Sequence, residues 1–248
     1  MTVKAFAEMN SGAPGSVREP YRAVADWLAR TSPEKVAATR TEVDQFYRRH
    51  GITFGAYGSV EGSETTIPFD IIPRVIAWDE WDYLHKGLVQ RVRTLNAFLD
   101  DAYRKREICR AGIIPEQQVL MNAEFVAMAQ GLELPGGVHA HIAGIDLVRV
   151  GEKEFYVLED NVRTPSGVSY VLENREVMMR LAPELFGAVG VLPVADYSEE
   201  LLATLRSVSF SDDAEPNVVL LTPGHYNSAY FEHAFLADEM GIELVEGS

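Results

Sequence analysis

The sequence predicts a mixed α/β protein, and three observations support this prediction. Segments with apolar residues at three- and four-residue steps alternate with short segments rich in β-branched and aromatic residues, as expected for helices interleaved with strands. Hydrophobic residues occupy 47% of the 248 positions, enough for one large domain or two small ones around a core. The C-terminal segment follows the order strand, helix, strand, which favours a β-α-β unit.

The composition limits the expected partners and location. The net charge is −15, so we expect neither nucleic acid nor an anionic membrane as a partner, because both bind clustered Lys and Arg. The single cysteine, Cys109, excludes an intramolecular disulfide and a cysteine-based zinc site. Residues 1–24 lack the apolar region of a signal peptide, and no stretch approaches the roughly 20 apolar residues of a membrane span. A cytoplasmic location is therefore predicted.

The N-terminal part is predicted to be mainly helical. Apolar residues recur at helical spacing over residues 21–28 and 32–50, and Ser32 is a suitable N-cap for the second of these helices. Glycines interrupt residues 51–62 without matching a phosphate-binding motif, which predicts turns around an edge strand. A long amphipathic helix is predicted over residues 79–106. Its arginines are interpreted as a solvated face, with substrate binding as the alternative.

The C-terminal half is predicted to begin with strands and to end with the β-α-β unit. The strand pattern falls within residues 119–150 and 155–160. The elements predicted after it are a helix, a helix, a strand, a helix and a strand, at residues 168–186, 198–207, 217–221, 227–240 and 242–245. We predict three parts: a flexible N-terminus (1–19), a helical region that also contains the candidate site (20–195), and a Rossmann-like segment (196–248).

The main candidate site lies on a predicted β-hairpin. Two apolar segments flank Gly151–Glu154, which has the length and polarity of a hairpin loop. If Val150 pairs with Phe155, then Asp146 lies directly opposite Glu159. Two carboxylates at such positions have Cβ atoms roughly 5 Å apart and repel each other. A cation, a shared proton or a basic side chain must therefore neutralise them.

Asn161 extends this pair into a candidate metal site. In the predicted register it shares a face with Asp146 and Glu159 and lies opposite Gly144, whose small size would leave room for a ligand. The same face is predicted to carry Val148, Val150, Phe155 and Val157. Two carboxylates and an amide oxygen suit Mg²⁺, with substrate phosphates completing its shell. From the geometry alone, a solvated rim that binds no metal is equally consistent.

The residues after Asn161 favour the metal interpretation. Arg163 is permanently charged and can form two parallel hydrogen bonds with a phosphate or carboxylate. A Pro-Ser-Gly turn then opens a helix, whose first backbone N–H groups, near Ser166 to Ser169, can bind an anion.

A second candidate position is the loop 222–228, because open α/β sheets bind ligands where their strands end. Its possible contacts are His225, Tyr226, Asn227 and Ser228. Capping of the next helix by Asn227 or Ser228 is the structural alternative.

Several segments resemble the circularly permuted ATP-grasp proteins, relatives of glutathionylspermidine synthase. Glu159-x-Asn161, with an acidic residue 13 positions upstream, resembles the ATP-grasp Mg²⁺ triad. The resemblance runs from about residue 20 to the C-terminus. Its other segments are Gly51-Ile52-Thr53-Phe54, Pro68-Phe69-Asp70-Ile71-Ile72-Pro73-Arg74, His141-Ile142-Ala143-Gly144-Ile145-Asp146, Leu158 to Tyr170, and Pro223 to His233.

The resemblance implies an ATP-grasp-like antiparallel sheet with flanking helices, followed by the Rossmann-like segment. It also implies an ATP-dependent ligase, in which Mg²⁺-ATP phosphorylates a small-molecule or peptide carboxylate and an amine attacks the acyl phosphate. Asp146, Glu159 and Asn161 would hold Mg²⁺, and Arg163 would face the transferring phosphate. The predicted contacts to ATP are Ser166, Gly167, Asn227 and Ser228.

One departure from the family pattern and three alternatives remain. Family members carry ATP-binding lysines on strands after the metal motif, whereas none of the five lysines here lies on a firmly predicted strand, which predicts an N-terminal part of a longer enzyme. His139 and His141, with His225 or His233, are an alternative zinc set. A non-catalytic scaffold and a Mg²⁺-dependent phosphoester hydrolase are the alternative functions.

Overall fold

The computed structural model describes residues 6–10, 15–55, 64–188, 190–211 and 213–247, and it has the predicted mixed α/β composition. The helices are α1 (Arg22–Arg30), α2 (Pro33–Arg49), α3 (Trp78–Tyr103), α4 (Glu107–Arg110), α5 (Glu116–Leu120), α6 (Val168–Leu181), α7 (Pro183–Ala188), α8 (Tyr197–Ser207) and α9 (Tyr230–Met240). The strands are β1 (Thr53–Gly55), β2 (Glu64–Thr66), β3 (Gly144–Arg149), β4 (Phe155–Asn161), β5 (Val219–Thr222) and β6 (Glu243–Glu246). Single 3-10 turns lie at Glu19–Tyr21, Ala127–Ala129 and Pro135–Gly137.

The described strands form three separate two-stranded sheets. β1 pairs antiparallel with β2, and β3 with β4, whereas β5 and β6 are parallel with α9 between them. The predicted hairpin and β-α-β unit are therefore confirmed. Most of the glycine-rich segment, residues 56–63, lies outside the described residues. Among the helices that the structure describes, none combines the length and apolar character needed to cross a membrane.

The strand region predicted at 119–150 and the helix predicted at 168–186 differ in extent from the observed elements. Strand structure within residues 119–150 is confined to β3, because turns and short helices occupy the residues before Gly144. The helix predicted over 168–186 is divided at Ala182, since Pro183 lacks the N–H group that would continue it, and a separate α7 follows. The predicted N-cap of α2 is confirmed: Ser32 Oγ accepts a hydrogen bond from the Lys35 N–H at 3.2 Å.

α6 is the central helix of the hydrophobic core. Its residues Val177 and Met178 belong to two neighbouring buried clusters. Met178 packs with α1, α7 and the segment before α3, in a cluster of Tyr21, Val24, Trp27, Ile71, Ala182 and Leu185. Val177 packs with α2 and with the residue before β1, in a cluster of Val43, Tyr47 and Ile52. The two clusters therefore hold α6 in place. They also hold its first turn, which follows the candidate site in the chain.

A buried ionic cluster holds the turn end of the hairpin. The Arg149 side chain is 1% exposed, and its guanidinium lies between the rings of Phe6 and Phe155, at 4.8 and 4.9 Å from their centroids. It donates hydrogen bonds to Glu80 of α3, to Glu8 and to backbone carbonyls of the turn. Arg18 donates to Glu80 as well. This part of the predicted flexible N-terminus is therefore tied to both α3 and the hairpin.

Candidate metal centre

The β3–β4 hairpin holds the candidate metal ligands in the predicted pairing. Asp146 is the Cα partner of Glu159, and Gly144 is the partner of Asn161. Asp146 and Glu159 are exposed, and Asn161 is half-buried. Asn161 Nδ2 donates a hydrogen bond to Glu159 Oε1 at 2.9 Å. The bond orients both side chains and leaves the amide oxygen of Asn161 available as a ligand.

Nearer the turn, the pairing differs by one residue from the prediction. Arg149, rather than Val150, is the partner of Phe155. β4 then carries one extra residue, Leu158, in a β-bulge that restores the predicted register at the candidate site. Bulges bend a strand locally and change the direction of the side chains beside them.

The bulge changes the neighbours of the two carboxylates. The prediction that Phe155 and Val157 share the face of Asp146 is wrong, because their cross-strand partners lie on the opposite face. The exposed face instead carries Val148, Tyr156 and Leu158. The candidate ligands therefore lie beside an open apolar surface.

Asp160, between Glu159 and Asn161, is held by α3. Arg91 donates two parallel hydrogen bonds, from Nε to Asp160 Oδ1 and from Nη2 to Oδ2, both at 2.6 Å. Hydrogen bonding to Arg91 lowers the pKa of the Asp160 carboxyl. Arg91 is exposed, as expected for a solvated face, but it also makes a specific contact with the strand that carries the metal motif.

The donor set fits a hard divalent cation. Two carboxylates on adjacent strands and one amide oxygen are ligands that Mg²⁺ takes, with water or phosphate in its remaining positions. Across the described residues there is no group of three or more His, Cys, Asp or Glu side chains placed to hold a metal. The candidate set has two such residues, and its third member is an amide.

Gly144 leaves less room than the sequence suggests. A Cβ atom added at this position would lie 2.9 Å from Pro165 Cβ and 3.6 Å from Asn161 Cβ. The space beside Asn161 is thus occupied by Pro165 rather than being left for a ligand. Thr164, just before this proline, has a left-handed φ of 45°, which is unusual for a β-branched residue. The backbone after the metal motif therefore turns sharply and packs against β3.

We expect Gly144→Ala to lower the free energy of unfolding by about 1–3 kcal/mol, the usual effect of forcing an extra methyl group into a filled site. Urea denaturation would measure it. Gly187→Ala is the matched control, because a Cβ there meets nothing within 4 Å and alanine favours helix. Equal stability of the two variants would contradict the close packing of Pro165.

Arg163, the predicted phosphate contact, lies on the surface of this turn. Its guanidinium is paired with Glu124, and the two side chains are 80% and 73% exposed. Exposed pairs of this kind contribute little energy, about 0–1 kcal/mol. Replacing Glu124 by a phosphate group as the partner of Arg163 would therefore cost little free energy.

The N-terminus of α6 binds an anion, as its sequence predicts, but the anion belongs to the protein. Glu232 of α9 is 4% exposed, and both of its carboxylate oxygens accept hydrogen bonds at 2.8 Å from the Gly167 N–H. Oε2 also accepts bonds from the Ser169 N–H and, at 2.6 Å, from the Ser169 hydroxyl. Ser166 is exposed beside this contact. A role of Ser166 and Gly167 in ATP binding stays a prediction, and at Gly167 it would require Glu232 to move.

The loop after β5 is folded on itself. α9 begins at Tyr230 rather than at the predicted residue 227. Asn227 Oδ1 accepts a hydrogen bond from the Ala229 N–H at 2.9 Å, so this side chain closes a turn before the helix. Ser228 is half-buried next to it. Contacts of Asn227 and Ser228 with a nucleotide stay a prediction.

The histidines of the alternative zinc set have other partners or positions. His139 stacks on Tyr103 and lies 3.4 Å from Asp100, whereas His141 is exposed. His233 Nδ1 is 2.9 Å from the buried hydroxyl of Thr222. These contacts favour structural roles for His139 and His233.

Comparison with known proteins supports the resemblance to the circularly permuted ATP-grasp proteins. Residues 73–248 match the model of a circularly permuted ATP-grasp. An uncharacterised protein of Mycobacterium tuberculosis is 46% identical over 243 residues, covering 98% of this chain and 43% of that protein. An uncharacterised protein of Synechocystis sp. is 46% identical over 235 residues, covering 95% and 49%. A Frankia alni protein named putative glutamate–cysteine ligase 2-3 is 41% identical over 239 residues, covering 94% and 27%.

The chain spans less than half the length of these curated relatives. The matches do not bear on the predicted relationship to glutathionylspermidine synthase, which stays a prediction. The matched region includes the whole hairpin, the turn after it, and the β-α-β unit. Because the family model covers well over half of the sequence, this chain belongs to the circularly permuted ATP-grasp family.

Proposed function

We propose that this chain supplies the Mg²⁺-nucleotide site of an ATP-dependent carboxylate–amine ligase. The observation that carries the proposal is the placement of Asp146 directly opposite Glu159, with Asn161 hydrogen-bonded to Glu159, in a chain of the ATP-grasp family. Family membership supports ATP and Mg²⁺ as cofactors. Two facing carboxylates repel each other, and a divalent cation would remove this repulsion.

The proposed reaction has two steps. The γ-phosphoryl group passes from ATP to an oxygen of the substrate carboxylate, which forms an acyl phosphate and ADP. The nitrogen of the amine substrate then attacks the acyl carbon, which forms the amide bond and releases phosphate and a proton. The name of the Frankia alni relative, a putative glutamate–cysteine ligase, supports a reaction of this class.

The residues of this chain would mainly position groups and neutralise charge. A bound Mg²⁺ would neutralise charge on the phosphate oxygens during transfer. Asp146, Glu159 and Asn161 would hold that ion, and the hydrogen bond between the last two fixes how their oxygens are presented. Arg163 would leave Glu124 and bind the transferring phosphate through two parallel hydrogen bonds.

A titration with Mn²⁺, as a paramagnetic substitute for Mg²⁺, tests the site. We expect the wild-type chain to bind Mn²⁺, ATP to strengthen the binding, and both Glu159→Gln and Asp146→Asn to weaken it. The loss should exceed the roughly 10–100-fold effect of changing a residue that merely supports a ligand. Glu152→Gln, an exposed carboxylate in the turn of the same hairpin, is the matched control.

Folded wild-type protein that fails to bind Mn²⁺, or a Glu159→Gln variant that binds as tightly as wild type, would overturn the proposed site. ADP release that requires both a carboxylate and an amine would support the ligase. Phosphate release without an amine would contradict it and favour the hydrolase.

A further inference from the structure

The ion pair between Arg91 and Asp160 joins the long helix α3 to the strand of the metal motif. Arg91 contributes two donors from one rigid group, and both oxygens of Asp160 are engaged at 2.6 Å. The Asp160 side chain is 17% exposed and that of Arg91 is 43% exposed, so the pair lies at the edge of the helix–strand interface. Bidentate arginine–carboxylate pairs fix orientation as well as distance.

This contact determines which way the metal motif faces. Side chains alternate along a strand, so a strand with Asp160 fixed against α3 must direct Glu159 and Asn161 to the opposite face. Asp146 lies on that face because it is the cross-strand partner of Glu159. One anchored carboxylate thus orients both neighbours at once.

The anchor lies beside the irregular part of the hairpin. The bulge at Leu158 interrupts the regular ladder one residue before Glu159. β3 and β4 also form a sheet of only two strands in the described part of the chain, and two-stranded sheets are marginally stable by themselves. Besides the hydrogen bond between Asn161 and Glu159, a contact outside the sheet therefore helps to fix the direction of these two side chains.

We propose that Arg91 is a positioning residue of the metal centre: it holds Asp160 against α3 and thereby presents Glu159 and Asn161 to the cation. The inference rests on the proposed function. Arg91 contacts the strand on the side of Asp160, opposite to Glu159 and Asn161, so it would not itself bind the metal.

Mn²⁺ affinity of Arg91 variants tests this role. We expect Arg91→Ala to weaken Mn²⁺ binding about 10–100-fold, the usual effect of removing a residue that orients a metal ligand. Arg91→Lys should recover part of the affinity, because lysine keeps the charge but cannot form the two parallel bonds. Asp160→Asn should resemble Arg91→Ala. Arg93→Ala, two residues along the same helix, is the control and should bind like wild type.

Two further measurements separate positioning from folding. Urea denaturation should show that Arg91→Ala is fully folded under the conditions of the Mn²⁺ titration. At saturation, the electron paramagnetic resonance line shape of bound Mn²⁺ should differ between this variant and wild type. A variant with lowered stability but wild-type affinity in its folded fraction would overturn the positioning role. Wild-type protein that binds no Mn²⁺ would overturn the proposed function and this inference together, whereas equal affinity of wild type and Arg91→Ala would overturn the inference alone.

Discussion

Glu232→Ala is expected to lower the free energy of unfolding by about 3 kcal/mol or more. The substitution removes a buried carboxylate and leaves the Gly167 N–H and both donors of Ser169 without an acceptor. Each unsatisfied buried donor costs about 1–3 kcal/mol, and water entering the vacated space would recover part of that. Equilibrium denaturation with urea measures the change.

Glu239→Ala is the matched control, because Glu239 is an exposed residue of the same helix. It should change the free energy of unfolding by no more than about 0.5 kcal/mol. Equal effects of the two substitutions would show that the buried contact contributes nothing.

The same position tests the predicted nucleotide contact at Gly167. Glu232→Gln removes the negative charge while keeping the size of the side chain. If the start of α6 receives a phosphate, this variant should bind ATP more tightly than wild type, because the protein's own anion no longer competes. Unchanged or weaker ATP binding would place the phosphate elsewhere.

Arg149→Ala is expected to destabilise the protein by about 3–5 kcal/mol, the usual effect of removing one partner from a buried ion pair. Glu80 would lose its hydrogen bond from Arg149, and the rings of Phe6 and Phe155 would lose the guanidinium that lies between them. Arg149→Lys should restore little, because a lysine cannot reach these acceptors with a planar group.

The effect of Arg149→Ala should depend on pH. Burial by itself would raise the pKa of Glu80, but hydrogen bonds from Arg149, the Ala77 N–H and Arg18 together lower it below the ordinary value of 4.5. A carboxyl whose pKa is lower in the folded than in the unfolded state stabilises the protein at pH values above the unfolded-state pKa. This stabilisation is lost as the pH falls through the folded-state pKa. The difference between wild type and variant should therefore shrink below pH 4.5.

Arg22→Ala provides the control for the ionic cluster. Arg22 pairs with Glu19 at 2.7 Å, but the two side chains are 70% and 73% exposed. Its removal should change stability by less than about 1 kcal/mol. A similar small loss for Arg149→Ala would mean that the buried cluster adds nothing to the fold.

The candidate site was predictable where a simple rule determines position. The period of two along a strand and a short polar loop are enough to place Asp146 opposite Glu159. The pairing at the turn was not predictable, because a bulge leaves no clear mark in the sequence. The pairing near the turn is shifted by one residue from the prediction, and the bulge at Leu158 shifts it back. The predicted pairing is therefore right for Asp146 and wrong for Val150.

Contacts between distant residues account for what sequence reasoning missed. Gly167 and Glu232 are 65 residues apart, and no local pattern connects them. A signal does exist at Glu232, since it is a carboxylate within the apolar run Ala229–Leu236. Arg91 offered no such signal, because an arginine on an amphipathic helix has the same appearance whether it meets water or Asp160.

The bulge at Leu158 also makes the two strands unequal in their tolerance of length changes. Deleting Leu158 would remove the extra residue while every cross-strand pair, including Asp146 with Glu159, could remain. Deleting a residue between Asp146 and the turn would instead leave two surplus residues on β4 or rotate Asp146 to the opposite face. Among relatives that keep the metal site, insertions and deletions are therefore expected in the second strand of the hairpin rather than in the first.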